Sequence, residues 1–361
     1  MSDKIYVGKL SFRGAVAMLL VFYLGGSNML GMSHGLGTAG WIAQLAGFFA
    51  ALPLLLLFGR LVRLMPGTDL YEMLEYTLGK WITAIVSVLY FCYFMILAAT
   101  TRVYYGVFLQ QTSLTNTPLI VILLALFVVC TYLARSGAVS LGKWSTLLVA
   151  ALVLVAALLA LFAIPNMRIE HLLPVAAGGG RAIADGGYRV LFSPFGEAVA
   201  LLTLLGSLDR KASPYRLFFL GALLAALFFV LTFLRDAAVL GGESMDTLRY
   251  PFFQAAGVIR AGAVQTRMEF PASLPFVLAG LTKVAVCLIA AARAVRRSAL
   301  IPVALFSVGL SALLFYRQTA LEAILAVHLY AAPLLQVGIP VLICLVAEVR
   351  RKRRPTELEK A

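Results

Sequence analysis

Apolar positions in this chain come in long runs separated by short polar, mostly basic, stretches. The runs cover residues 12–33, 40–65, 81–110, 117–135, 138–164, 187–208, 214–240, 268–294, 299–317 and 331–349. Several exceed 18 residues with few charges, the length at which a helix crosses ~30 Å of hydrocarbon. A membrane β-barrel would show alternating segments of about ten residues instead, and the chain has none. The pattern predicts an all-α integral membrane protein with about ten transmembrane helices.

Composition agrees. Of 361 residues, 62% are hydrophobic and 13% charged, with a mean hydropathy of +0.95; a soluble domain carries roughly 25% charged residues. The net charge of +14 does not point to nucleic acid, because the basic residues fall in the short stretches between runs, where they set membrane orientation. With the N-terminus inside, inner segments hold 20 Lys and Arg and outer segments 8, with Arg102 and Lys283 inside spans. This asymmetry predicts both termini on the cytoplasmic side and an even number of spans. Eight or twelve spans would put some clusters on the wrong side. No cleavable signal peptide is expected, since the first apolar run is too long for an h-region. The tail at Arg350–Arg354 is a stop-transfer anchor against anionic lipid or a partner-docking segment.

Two runs are irregular. The first contains Gly25, Gly26, Ser27, Asn28 and Gly31; the sixth contains Ser193, Pro194, Phe195, Gly196 and Glu197. Gly and Pro within a span free backbone groups that hydrocarbon cannot satisfy, and such breaks persist where they line a polar cavity or allow close helix packing. Interrupted spans at equivalent positions of two halves point to an inverted-repeat transporter site. The expected organisation is one transmembrane domain, 1–350, with a LeuT-like 5+5 inverted repeat. Repeat one covers about 12–164, repeat two about 187–349, and 351–361 is a basic cytoplasmic tail. Half-helix ends at the breaks offer partial positive charge to an anion and free carbonyls to a cation, which suits a zwitterionic amino acid.

Three ionisable residues lie within spans. Lys283 is either a fixed structural ion pair, with Glu197 as a partner, or a built-in cation in place of bound sodium. Glu197 either caps the broken helix or contacts ligand or proton. Arg102, in the outer third of its span, can snorkel outward. Tyr93, Ile96, Thr100, Thr101 and Tyr104 on the third span are candidate pocket-wall residues. The ligand-binding set is therefore Gly25, Gly26, Ser27, Asn28, Gly31, Tyr93, Ile96, Thr100, Ser193, Phe195, Gly196 and Glu197, with Lys283 and Glu197 as the coupling pair. Cys92, Cys130, Cys287 and Cys344 lack metal-ligand spacing, and His34, His171 and His328 are far apart. Gly178–Gly180 is not a phosphate loop, since no Lys-Ser/Thr follows it. No metal, cofactor or catalytic constellation is expected.

Several segments together carry a resemblance. They are Gly40-Trp41-Ile42, Met65-Pro66-Gly67-Thr68-Asp69-Leu70-Tyr71-Glu72, Leu78-Gly79-Lys80-Trp81, Tyr132-Leu133-Ala134-Arg135-Ser136-Gly137 and Leu172-Leu173-Pro174-Val175. With Glu197, Pro251 and the Arg267/Glu269 pair, they resemble the spore germination permease family, the B subunits of germinant receptors, over about residues 10–350. The resemblance implies the amino acid/polyamine/organocation transporter superfamily and a ten-helix LeuT-like fold. It also implies sensing of small germinants such as amino acids in the spore inner membrane, alongside a larger membrane subunit and a lipoprotein subunit. The chain departs from the family at Met32-Ser33-His34, where a Pro is usual, at Thr100, where a Glu is frequent, and at Lys283 and Thr266. These departures imply a different ligand or ion coupling. A free-standing proton-coupled amino acid symporter is the alternative of the same fold, and a ligand-free scaffold is the third.

Overall fold

The computed structural model describes residues 8–27, 35–175, 179–258, 269–295, 299–316 and 330–353. These residues are predominantly helical. The long elements are α1 (Phe12–Ser27), α2 (Gly40–Leu64), α4 (Lys80–Thr112), α5 (Leu119–Arg135), α6 (Gly137–Ala163), α8 (Pro214–Leu240), α11 (Glu269–Val295) and α12 (Leu300–Tyr316). Shorter elements are α3 (Leu70–Leu78), α7 (Gly179–Val190), α9 (Gly242–Thr247) and α10 (Pro251–Val258). α13 (Ile339–Arg353) follows a π turn at Pro333–Gly338. Six of the helical segments have the length and apolarity to cross a membrane, and three shorter apolar helices, Phe12–Gly26, Leu119–Arg135 and Leu300–Tyr316, stand beside them.

Side chains are distributed as a bilayer demands. Trp81, Ile85, Val121, Val128, Leu147, Leu161, Leu231 and Leu313 are exposed apolar residues on the outside of the bundle, while Arg102, Glu197, Asp236 and Lys283 are buried in it. The most buried long helix is α11, packed against α1, α4, α5 and α6. α2 packs on α8 and α7. Small residues make the closest approaches. A Cβ at Gly25 would overlap the backbone of Ala279, one at Gly47 would meet Val190 at 2.5 Å, and Gly14 faces Gly142. Such stripes suit an apolar solvent, where packing rather than water exclusion drives helix association.

The stretch 65–80 is more structured than a plain connecting loop. Asp69 Oδ1 accepts from the backbone N–H of Tyr71 and Glu72, and Glu72 returns a carboxylate to the Asp69 N–H, forming a capping box that starts α3. Leu70, Met73, Leu74 and Thr77 face inward. Gly79, at φ +79°, turns the chain from α3 into α4, a conformation that costs glycine little. Asp69 also pairs with Arg293 of α11 at 3.4 Å, and the Tyr71 hydroxyl donates to Ala290 O at 2.8 Å. Burial pushes the Tyr71 phenol well above its usual range.

The connection at 165–186, between the fifth and sixth apolar runs, is partly helical. Two 3₁₀ turns, Ile164–Asn166 and Ile169–Leu172, are followed by α7, which starts at Gly179. Gly186 and Gly187 let α7 lie against Ala43, Ala46 and Gly47 of α2. Between the first two spans, Gly35 and Gly37 adopt positive φ and donate their N–H groups to the Asp246 carboxylate on α9, at 3.0–3.1 Å.

Candidate functional site

The sixth apolar run is broken where its residues dictate. Helix geometry ends at Ser193 (φ −137°, ψ 107°). Pro194 offers no N–H and disfavours the helical region for the residue before it. The chain resumes as a 3₁₀ segment over Gly196–Thr203 and a second at Leu205–Ser207. The strand-like pairing of Leu10 with Leu208, through Leu10 N–H to Ser207 O (2.9 Å) and Asp209 N–H to Leu10 O (3.0 Å), holds the end of this run beside the start of α1.

Glu197 follows the break and is 2% exposed. Its Oε2 accepts from Lys283 Nζ at 2.5 Å and its Oε1 from the Ser193 hydroxyl at 2.8 Å. Lys283, also 2% exposed, lies midway along α11. Its ammonium sits 5.4 Å from the Phe22 ring centroid, a cation–π contact, and directly over Gly26, where a Cβ would overlap Nζ. Gly26 is thus the space that the ammonium occupies. Ser193 is exposed, so one hydroxyl separates the buried carboxylate from the accessible surface.

Around this pair, Tyr105 donates its hydroxyl to Gly25 O at 2.9 Å, using a carbonyl at the end of α1, and its ring lies against Gly280 of α11. Phe195 packs edge-on against Tyr23, with ring centroids 5.2 Å apart, and also meets Phe48 and Phe229. Gly196 adjoins the side-chain amide of Gln336, which leaves no room for a Cβ. Gln336 Nε2 donates to the Tyr93 hydroxyl at 2.5 Å and to Phe192 O at 3.0 Å. The last bond satisfies a carbonyl beside the break.

Of the residues expected at the site, Gly26, Ser193, Glu197 and Lys283 come together directly. Gly25, Tyr93, Phe195 and Gly196 form the surrounding layer. Thr100 is buried, but its hydroxyl bonds the carbonyls of Ile96 and Leu97 in its own helix, and Ile96 contributes a backbone acceptor to that bond. Ser27 ends α1, and Asn28 and Gly31 lie outside the described residues. Tyr105 takes the position expected of its neighbour Tyr104, and Gln336 was not anticipated. A polar residue two positions after Leu334 in an apolar run was the available signal for it. Arg102 does not snorkel. It is fully buried and donates from Nη1 to Ser307 and Ser311 on α12. Among the described residues no group of His, Cys, Asp or Glu has the arrangement of a metal site.

Fold and site together define a multi-pass helical membrane protein with a charged, shielded pair at a broken helix. The profile of the spore permease family, described as spore germination protein, matches residues 9–320. The chain belongs to that family. It is 25% identical over 285 residues to Spore germination protein KB of Bacillus subtilis (strain 168), covering 78% of this chain and 76% of the relative.

Proposed function

We propose that the chain is the transmembrane B subunit of a spore germinant receptor. It binds a small zwitterionic germinant, an amino acid, at the midplane between α1 and the break at Ser193, and signals to a larger membrane subunit and a lipoprotein subunit. The observation that carries this reading is the Glu197–Lys283 pair at the break. Its carboxylate and ammonium are the counterparts of an amino acid's own two charges. A ligand inserted there exchanges one internal ion pair for two, with its ammonium on Glu197 and Ser193 and its carboxylate on Lys283. The cost of desolvating the ligand is offset only if both exchanges occur, which selects against uncharged solutes. Family membership and the similarity to a spore germination protein support the germination role.

The ten-span inverted repeat is part of the same proposal, with α1, α2, α4, α5 and α6 as repeat one and the broken run, α8, α11, α12 and α13 as repeat two. Packing supports it: equivalent helices pair with each other, α2 with α8 and α4 with α11, and the α5–α11 contact has its mate in α12–α4. Both termini face the core side of the spore inner membrane.

The test is to replace Gly196 or Gly25 with Leu in the receptor and follow amino-acid-triggered germination of spores. Loss of response with normal membrane insertion is expected, and a response that survives both substitutions puts the site elsewhere. The second reading is a proton-coupled amino acid symporter acting alone, favoured by the Glu197–Lys283 acid–base pair within apolar helices. Uptake of amino acids by proteoliposomes holding only this chain is its signature.

A further inference from the structure

Arg102 lies in α4, away from the break. Its guanidinium is fully buried. Nη1 donates to Ser307 Oγ at 2.8 Å and Ser311 Oγ at 3.3 Å. Nε and Nη2 have no hydrogen-bond partner, and none of the ion pairs among the described residues includes Arg102. Lys283, Arg235 and Arg293 show the contrast, each standing against a carboxylate.

A guanidinium cannot shed its charge by deprotonating in a protein, and an uncompensated buried cation is among the costliest groups a fold can hold. The side chains that accept from it, Ser307 and Ser311, are neutral hydroxyls and carry no compensating charge. Ser311 gives its proton to Ser307 O at 2.8 Å. The Ser307 hydroxyl accepts from Nη1 and retains its own proton to give. The Cys130 thiol of α5, equally buried, lies beside the guanidinium. Ala99, Val103, Leu123 and Leu314 close an apolar cluster over this level of the bundle. Unspent donors and one fixed positive charge within an apolar wall form the coordination set of an anion. The tight packing of α4, α5 and α12 suits an ion of one or a few atoms rather than a phosphate ester or an amino acid.

We propose that Arg102, Ser307 and Cys130 form a buried site for a single small monoanion, held between α4, α5 and α12 against Nε and Nη2. This site is separate from the germinant site and does not depend on that reading. Its occupant cements α12 to α4.

The test uses the full-length chain purified in mild detergent and exchanged into gluconate. Chloride is titrated at constant ionic strength, and thermal unfolding is read by intrinsic fluorescence. The expected result is a saturable rise of roughly 3–4 °C at a hundredfold excess over the dissociation constant. Bromide should substitute and sulfate should not. A rise with formate but none with chloride keeps the anion site and assigns it to carboxylates. Arg102→Met should abolish the response. Should that variant fail to fold, Ser307→Ala keeps the cation and should raise half-saturating chloride about tenfold, the worth of one charge-assisted hydrogen bond. A wild-type midpoint indifferent to every monoanion overturns the site, as does an equal chloride shift in Arg102→Met.

Discussion

At the scale of single residues, Lys283 and Glu197 need each other. Each is shielded from water, and a partner removed alone leaves a bare charge in a medium that cannot solvate it. Lys283→Met is expected to destabilise the chain by about 3–5 kcal/mol, and the double variant Lys283→Met/Glu197→Gln to recover most of that loss, since neither charge is then stranded. Thermal midpoints of the wild type, both singles and the double in one detergent measure the coupling; additive losses would show that the pair contributes nothing as a pair. Gly26 was legible as a special position but not for its reason. In the sequence it marks a break, whereas in the structure it is also the space into which a lysine from another helix projects. That relation spans the whole chain, and no local pattern encodes it.

At the scale of elements, the apolar runs forecast most helices to within a few residues, because hydrocarbon permits few alternatives to a continuous helix. α2 was expected over 40–65 and is Gly40–Leu64; α5 was expected over 117–135 and is Leu119–Arg135. The short elements fall mostly outside these runs, α3 and α7 among them. α3 is nine residues long, too short to register as a span, although its capping box stands in the sequence as Asp69 and Glu72. α7 begins in a glycine-rich stretch that reads as loop, and it is helical because Gly186 and Gly187 let it nest on α2. The Pro194 break was readable because proline acts through covalent geometry, which needs no tertiary context. For α3, Asp69→Ala should cost about 1 kcal/mol as a lost cap and also release Arg293. The check is faster hydrogen exchange at the amides of Tyr71 and Glu72. Unchanged protection there would mean that packing of Leu70, Met73 and Leu74 alone holds the helix.

At the scale of the molecule, the proposed ten spans predict that cysteines placed at either terminus are labelled from the cytoplasmic side only, with the native cysteines replaced. External labelling of the C-terminus would remove the even span count and the repeat with it. The Glu197–Lys283 pair also has a consequence in time. Glu197 and Lys283 are 86 residues apart in the chain, and at ~5–20 residues per second of synthesis the carboxylate is made roughly 4–17 s before its ammonium. During that interval the nascent broken run carries an acid with no partner into the insertion machinery. The membrane protein therefore cannot be completed span by span in isolation. The broken run must be kept sheltered until α11 arrives, so biogenesis from the break to α11 is a single commitment rather than a succession of independent ones.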